Sequence, residues 1–359
     1  MSEQMFSGTK SIDDRLKFNL EGLKTYFSEN LKDFGNINSV VQFKGGQSNP
    51  TYKVSTQKKE LVLRRKPPGK LLPSAHAVDR EFRVISALEN TDVPVPKTFG
   101  LCNDREVIGT EFYIMEYLDG AIYWDLLLEK LEPDDRRKIY VNKNKVISAL
   151  HTVNFDDVGL SDYGKSGDYV ARQVSRWTKQ YIASETKNIE SMNKLIEWLP
   201  KNIPSNDQTS IVHGDFRLDN IVFSQNNVLG VLDWELSTLG HPIADFNYHC
   251  LNWRNLPELQ DEKFCKRSGI PTEKEYLAMY CENTGNDISY DWDFYYIFNI
   301  FKLAGILQGI MGRVRDGTAA SKHAEERSDQ IVPLADAAWD LSLIHISEPT
   351  RPERIAGSG

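Results

Sequence analysis

The sequence predicts an α+β fold in which a β-rich lobe is followed by a larger α-helical lobe, and three observations carry that reading. Strand-like runs gather before residue 118, helical patterns rich in charge dominate after it, and neither an internal repeat nor a low-complexity linker separates the two. Strands and helices segregated along a chain form two packed regions with a cleft between them, where ligands usually bind. The first lobe is expected over 1–118 and the second over 119–340.

INSVVQFKGG, TYKVST and ELVLRR read as three short antiparallel strands, with β-branched and aromatic residues bounded by Gly, Asn, Pro and a charged turn at Gln57–Glu60. SAHAVDREFRVISALEN places Ala77, Phe82, Ile85 and Leu88 at helical spacing, and TDVPVP stops that helix. EFYIMEYLDG is a buried strand ending in a glycine turn. Glu132 to about Val153, and Tyr169 to Leu199, carry helical patterns. The apolar stretch DWDFYYIFNIFKLAGILQGIMG contains Lys302, Asp291, Asp293, Asn299 and Gln308, which suits a buried core helix better than a membrane span.

A net charge of −8 argues against a nucleic-acid surface or an anionic-membrane anchor, both of which need clustered Lys and Arg. The four cysteines, Cys102, Cys250, Cys265 and Cys281, lie far apart with no CxxC pair, the pattern of buried thiols in a reducing compartment. The N-terminus has no apolar run behind a basic start, so a cytoplasmic protein is expected. Residues 341–359, beginning LSLIHISEPTR, resemble the in-frame translation of a transposon-end adapter used in sequencing libraries and are expected to be non-native.

The strongest chemical signal is IVHGDFRLDNIVF followed by VLGVLDWE. Asp215 and Asn220 stand five apart, and Asp233 follows thirteen beyond Asn220. Phosphoryl transfer needs these parts: a carboxylate that takes the proton of an attacking hydroxyl, and oxygen ligands for the magnesium that bridges the phosphates. Protein kinases carry the same order, with Gly214 here in place of the Arg of HRD and Trp234-Glu235 in place of Phe-Gly. Arg217 is placed to offset charge that develops during transfer. His213 is expected to hold the loop by hydrogen bonding, because Asp215 already supplies the base.

A second, weaker signal is the turn Gly45, Gly46, Gln47, Ser48, Asn49, where missing side chains let backbone amides approach phosphate oxygens; a plain hairpin turn has the same pattern. LVLRR ends a strand with Arg64 or Arg65, where kinases place a phosphate-pairing Lys, and Glu81 on the next helix is the natural partner. Glu116, Tyr117 and Leu118 follow a buried strand at the expected lobe junction, where backbone groups meet an adenine edge.

Taken together, HGDFRLDN, LDWELSTLGHPIADFNY and LRRKPPGKLLPSAHAVDREFRV resemble the aminoglycoside phosphotransferase and choline kinase family, over about Leu16 to Asp340. The likeness is nearest to kinase domains associated with acyl-CoA dehydrogenases. It implies a bilobal protein-kinase-like fold and an ATP- and Mg2+-dependent kinase. In this likeness Asp215 is the catalytic base, Asn220 and Asp233 bind metal, Arg64 faces the phosphates, Glu81 pairs with it, and Asp245 braces the catalytic loop. It further implies a 4-hydroxyacyl-CoA as acceptor and an acyl-CoA dehydrogenase partner or fused domain, with Trp253, Arg254, Tyr295 and Arg313 as candidate acceptor contacts. An aminoglycoside or amino-alcohol kinase is the alternative within enzymes, and an inactive nucleotide-binding regulatory module the alternative outside them.

Overall fold

The computed structural model describes residues 8–45, 48–69, 76–288, 291–316 and 329–347. In chain order the elements begin with β1 (Thr9–Lys10), α1 (Leu20–Asn30), β2 (Ile37–Phe43), β3 (Thr51–Thr56), β4 (Glu60–Arg65), α2 (Val78–Leu88), β5 (Thr98–Cys102), α3 (Arg105–Ile108), β6 (Phe112–Glu116) and α4 (Pro133–Thr152). There follow α5 (Tyr169–Ser184), α6 (Glu190–Trp198), β7 (Ser210–Val212), β8 (Ile221–Ser224), β9 (Asn227–Val231), β10 (Thr238–Gly240) and α7 (Pro242–Cys250). Last come α8 (Asn252–Asn255), α9 (Pro257–Gln260), α10 (Glu262–Ser268), α11 (Glu273–Thr284), α12 (Trp292–Arg315) and α13 (Ile331–Ser347).

These elements form two compact units. One holds the chain up to Gly164 with Ser210–Thr238 and Glu258–Thr284; the other holds Lys165–Thr209, Leu239–Pro257 and the chain from Gly285.

The first unit is built on a six-stranded antiparallel sheet in the order β1-β2-β3-β4-β6-β5. Side chains of a strand alternate between faces, and the pairing of Tyr52 with Leu63 and of Leu63 with Ile114 stacks one apolar row across three strands. Tyr52, Val54, Leu61, Leu63, Phe112 and Ile114 share that face with Leu23 and Phe27 of α1. Each such burial contributes about 1.5–3 kcal/mol. Val62, Arg64, Tyr113 and Met115 stand on the opposite face, where they line a cavity.

The alternation resolves the Arg64/Arg65 choice that the sequence leaves open. Arg64 enters the cavity side, whereas Arg65, 1% exposed, donates to the Leu16 carbonyl (2.7 Å) and to Tyr52 Oη (3.2 Å) behind the sheet. Helix α2 packs on β5 and β6, and its buried stripe is Val78, Glu81, Val84, Ile85 and Leu88. That differs from the expected Ala77, Phe82, Ile85 and Leu88: the stripe is turned so that Glu81 lies inward beside Arg64, leaving Phe82 half-buried against Tyr113.

The chain after β6 is tied to the β8–β9 hairpin, for Ala121 and Phe223 exchange both backbone hydrogen bonds (2.7 and 2.8 Å). Gly120 permits this approach, since a Cβ there would lie 2.4 Å from the Phe223 carbonyl oxygen. Proline at the first position of α4, followed by Asp134 and Asp135, suits a helix N-terminus.

The second unit is helical, and the pattern expected to run from Tyr169 to Leu199 is two helices, α5 and α6, interrupted over 185–189. Helix α12 packs against α5, α7 and α13. It is long and apolar enough to cross a membrane by composition, but 72% of its most apolar window is buried in the unit, as expected of a core helix. Its polar residues are used internally: Asn299 donates to the Ala244 carbonyl (2.9 Å) and Gln308 to the Ser184 carbonyl (2.7 Å). Helix α13 continues through the first residues of the stretch 341–359, with Leu343 and Ile344 exposed. The remainder of that stretch lies outside the described residues.

Candidate active site

The segment between β7 and β8 carries the Asp215 cluster. His213, fully buried, accepts the Asp215 backbone N–H at Nδ1 (3.2 Å) and is 2.9 Å from the Leu232 carbonyl through Nε2, so this ring joins the loop to the end of β9. The Leu232 N–H donates to the Asn220 carbonyl (2.8 Å). These bonds bring two separate sequence motifs together. Asn220 Nδ2 donates to the Asp215 carbonyl (2.9 Å) and approaches its carboxylate (3.3 Å), which directs the amide nitrogen toward that carboxylate.

Asp233 sits at φ +63, ψ +58, a left-handed conformation rare outside glycine and worth about 1–3 kcal/mol of strain. Strain of that kind persists where surrounding bonds over-determine it, and Asp233 Oδ1 receives Arg64 Nη2 at 2.6 Å. Arg64 also donates through Nε to Glu81 (2.7 Å), and Glu235 lies 3.8 Å from its Nη2. One guanidinium is therefore held among three carboxylates. Burial opposes its charge, but Glu81, Asp233 and Glu235 outweigh that and hold it protonated.

Glu81 is 1% exposed and accepts from Arg64, from Asn49 Nδ2 (2.6 Å) and from Tyr113 Oη (3.2 Å). Burial nonetheless raises its carboxyl above the ordinary range, with Arg64 pulling the other way. Its place in the first turn of α2 puts a carboxylate near the positive end of the helix. Asn49→Ala removes one donor from this buried group, so a loss of about 1–3 kcal/mol is expected in a urea unfolding titration. Asp215 is likewise raised by burial, with the Arg217 guanidinium, 3.4 Å away, opposing.

Arg64, Asn220 and Asp233 line a cavity of roughly 480 Å3, and Asp215 adjoins it through Asn220. Val62 and Met115 of the sheet and Val222 and Leu232 of the hairpin region supply apolar walls, with Glu116, Tyr117 and Leu118 along one side. This combination suits a flat base among apolar walls and a charged tail at the Arg64 end.

The phosphotransferase enzyme family model (APH) matches residues 39–280, about two thirds of the chain. The chain belongs to this family. Membership makes it a phosphotransferase, and its fold is the bilobal kinase-like α+β fold of the family. A Ralstonia eutropha protein provisionally named an aminoglycoside phosphotransferase is 46% identical, with a TM-score of 0.84 over 91% of this chain and 99% of that one. An aminoglycoside phosphotransferase solved with ADP and hygromycin B shares the fold at 11% identity, with a TM-score of 0.59 over 89% of this chain and 98% of that one. Among curated proteins, mouse acyl-CoA dehydrogenase family member 10 is 47% identical over 84% of this chain and 29% of its own length. Human acyl-CoA dehydrogenase family member 11 is 41% identical over 91% of this chain and 43% of its own length. The chain thus spans less than half of these curated relatives.

Not every residue singled out from sequence faces the cavity of this phosphotransferase. Gly45 lines it, Ser48 bonds Glu235, Gly46 and Gln47 lie outside the described residues, and Asn49 is fully buried behind Glu81. Arg217 is half-exposed and paired with Asp219 at 2.8 Å. Asp245 is buried in the first turn of α7, in the second unit. Trp253 and Tyr295 are core residues of that unit, Tyr295 stacking on His241, while Arg254 pairs with Asp293 (2.7 Å) and Arg313 is exposed on α12.

Tyr113, Lys53 and Asp219 also line the cavity, although no sequence motif marks them for it. Tyr113 had a usable signal, since it lies two before Met115 and opposite Arg64 on the same face. The structure also explains Gly214, which departs from the HRD pattern. Its φ is +84, and a Cβ would sit 2.9 Å from the Leu236 carbonyl oxygen and 3.0 Å from Leu236 Cβ. Gly214→Ala is expected to cost about 1–3 kcal/mol of strain and to lower kcat more than it raises the nucleotide KM, as read from steady-state kinetics.

Proposed function

We propose that this phosphotransferase transfers the γ-phosphoryl group of ATP to the hydroxyl of a 4-hydroxyacyl-CoA, with Mg2+ as metal. The observation that carries the ATP reading is the meeting of Arg64, Asn220 and Asp233 in one cavity beside Asp215. The acceptor reading rests on the relatives' names, since this chain matches a part of acyl-CoA dehydrogenase family proteins.

Among the described residues no cluster of three or more His, Cys, Asp or Glu forms a metal cage. Magnesium does not need one, because it takes one or two protein oxygens and completes its shell with phosphates and water. Asn220, whose amide nitrogen is spent on Asp215, and Asp233, with its carboxylate in the cavity wall, are hard oxygen donors that fit this ion. When bound, the ion supplies charge neutralisation at the β- and γ-phosphate oxygens.

The chain's own residues do the rest. Asp215 accepts the acceptor's hydroxyl proton as that oxygen forms its bond to the γ-phosphorus, and the bond from phosphorus to the ADP oxygen breaks. Arg64 turns its guanidinium to the phosphates while Glu81, itself held by Asn49 and Tyr113, fixes it from behind. The free cysteines suit a cytoplasmic setting, and an acyl-CoA dehydrogenase, fused or separate, is the partner this reading implies.

The test is an ADP-release screen of hydroxyacyl-CoAs against choline, other amino alcohols and aminoglycosides. Turnover with 4-hydroxyacyl-CoAs well above the rest is expected. Preference for a cationic acceptor would replace the acyl-CoA reading, and no ADP release with any acceptor would point to a regulatory module.

A further inference from the structure

The family model begins at residue 39, yet Gly8 and Thr9 line the cavity. They belong to an arm that is built into the sheet at three points. At its start, β1 adds to the edge of β2, with Thr9 opposite Phe43 and Lys10 opposite Gln42, and the Lys44 N–H donates to the Gly8 carbonyl (3.1 Å). The Asp13 N–H then donates to Gln42 Oε1 (3.0 Å). Further on, the Leu16 carbonyl accepts from Tyr52 Oη (3.0 Å) and from buried Arg65 (2.7 Å), whose guanidinium also lies 5.0 Å from the Phe18 ring. Arg64 and Arg65 thus divide two tasks between adjacent positions of one strand, the first entering the site and the second anchoring the arm.

A strand added to a sheet edge also shields unpaired backbone groups, and that alone would account for β1. It does not account for where the strand lies. Beyond Phe43 the ladder continues through Thr51, Arg64 and Tyr113, which face each other across β3, β4 and β6, and all of these line the cavity. β1 extends this row by one strand, directly before the Gly45 turn. At the same wall Phe43 stacks on Tyr117 with ring centroids 6.2 Å apart, and Lys53 Nζ lies 4.3 Å over the Tyr117 ring. The arm therefore enlarges an organised wall, with a hydroxyl and main-chain polar groups at Thr9.

We propose that the arm from Gly8 to Phe18 is part of the nucleotide site, with Thr9 contributing polar contact to the ribose or phosphate oxygens of a bound nucleoside triphosphate. The proposal rests on the reading of this cavity as the nucleotide site.

The experiment is the double variant Gly8→Val/Lys10→Pro, compared with wild type in Mg-ATP binding by calorimetry, in steady-state kinetics and in thermal unfolding. Valine is strained at the positive φ of residue 8 (+85), and proline at residue 10 removes the backbone N–H that faces Gln42, so the arm leaves the β2 edge without a change to the core. Faster hydrogen exchange at the Lys44 amide reports that release. The expected result is a Kd and KM for ATP raised about tenfold, the scale of one or two lost hydrogen bonds to a charged oxygen, with kcat at saturating ATP, the acceptor KM and the unfolding midpoint unchanged. Unchanged ATP affinity in a variant whose Lys44 amide is exposed, or an effect confined to kcat, overturns the arm's role and leaves the nucleotide reading standing. A wild-type protein that binds no ATP overturns both.

Discussion

Asp215→Asn is expected to reduce kcat by about 10²–10⁴-fold, the range for removing a positioned general base, while Mg-ATP binding stays close to wild type. The asymmetry follows from the site. Asparagine keeps the volume of the side chain, and the backbone bonds that shape the loop, from His213 and Asn220, involve the main chain of residue 215 and are retained. What disappears is a proton acceptor whose basicity burial has already raised. The apolar cavity walls proposed to hold a nucleotide are elsewhere, in Val62, Met115, Val222 and Leu232. Calorimetry with Mg-ATP and single-turnover kinetics on the same preparation check the two halves separately. A variant with transfer near the wild-type rate would remove Asp215 from the chemistry.

Arg64→Met is expected to destabilise the protein by about 3–5 kcal/mol, the cost of removing one partner from a buried ion pair, and to weaken ATP binding as well. Glu81 would remain 1% exposed with no cation beside it, and Asp233 would lose its 2.6 Å partner. The Glu81 carboxyl is raised in the folded protein even with Arg64 present, and removing the guanidinium raises it further. A raised carboxyl carries no folding penalty below its ordinary value of about 4.5, where it is protonated folded or unfolded, and the penalty grows as pH climbs through the folded value. The stability gap between Arg64→Met and wild type should therefore be smaller at pH 5 than at pH 8, as compared in urea titrations. Adding Glu81→Gln should recover part of the lost stability without restoring ATP affinity. A gap of the same size at both pH values would mean that Glu81 does not carry the buried charge assigned to it.

Much of the first unit was legible because its information is local. β2, β3 and β4 lie where β-branched runs and the turns around them place them, and β6 follows the apolar run of EFYIMEYLDG. The Asp215, Asn220 and Asp233 spacing stands out in the sequence because phosphoryl transfer would constrain residue type and order together, and the three residues do meet in one unit. What escaped was set by tertiary contacts. Asn49 reads as a phosphate-turn residue, but its amide is drawn inward to Glu81, a residue 32 positions away. The stripe of α2 was misplaced because a buried glutamate does not count toward an apolar pattern, although Arg64 makes burial of Glu81 tolerable. The break between α5 and α6 carries no proline or glycine to announce it. The N-terminal arm shows no motif, and its two-residue strand is specified by the edge of β2.

The kinase reading requires that Asn220 and Asp233 hold one metal-chelated nucleotide beside Asp215. The most direct measurement is an electron paramagnetic resonance titration of Mn2+, used in place of Mg2+, with ADP in the wild type and in Asp233→Asn. A tight protein–Mn–ADP complex is expected in the wild type, lost or strongly weakened in Asp233→Asn. Equal Mn–ADP binding by the two proteins would contradict it.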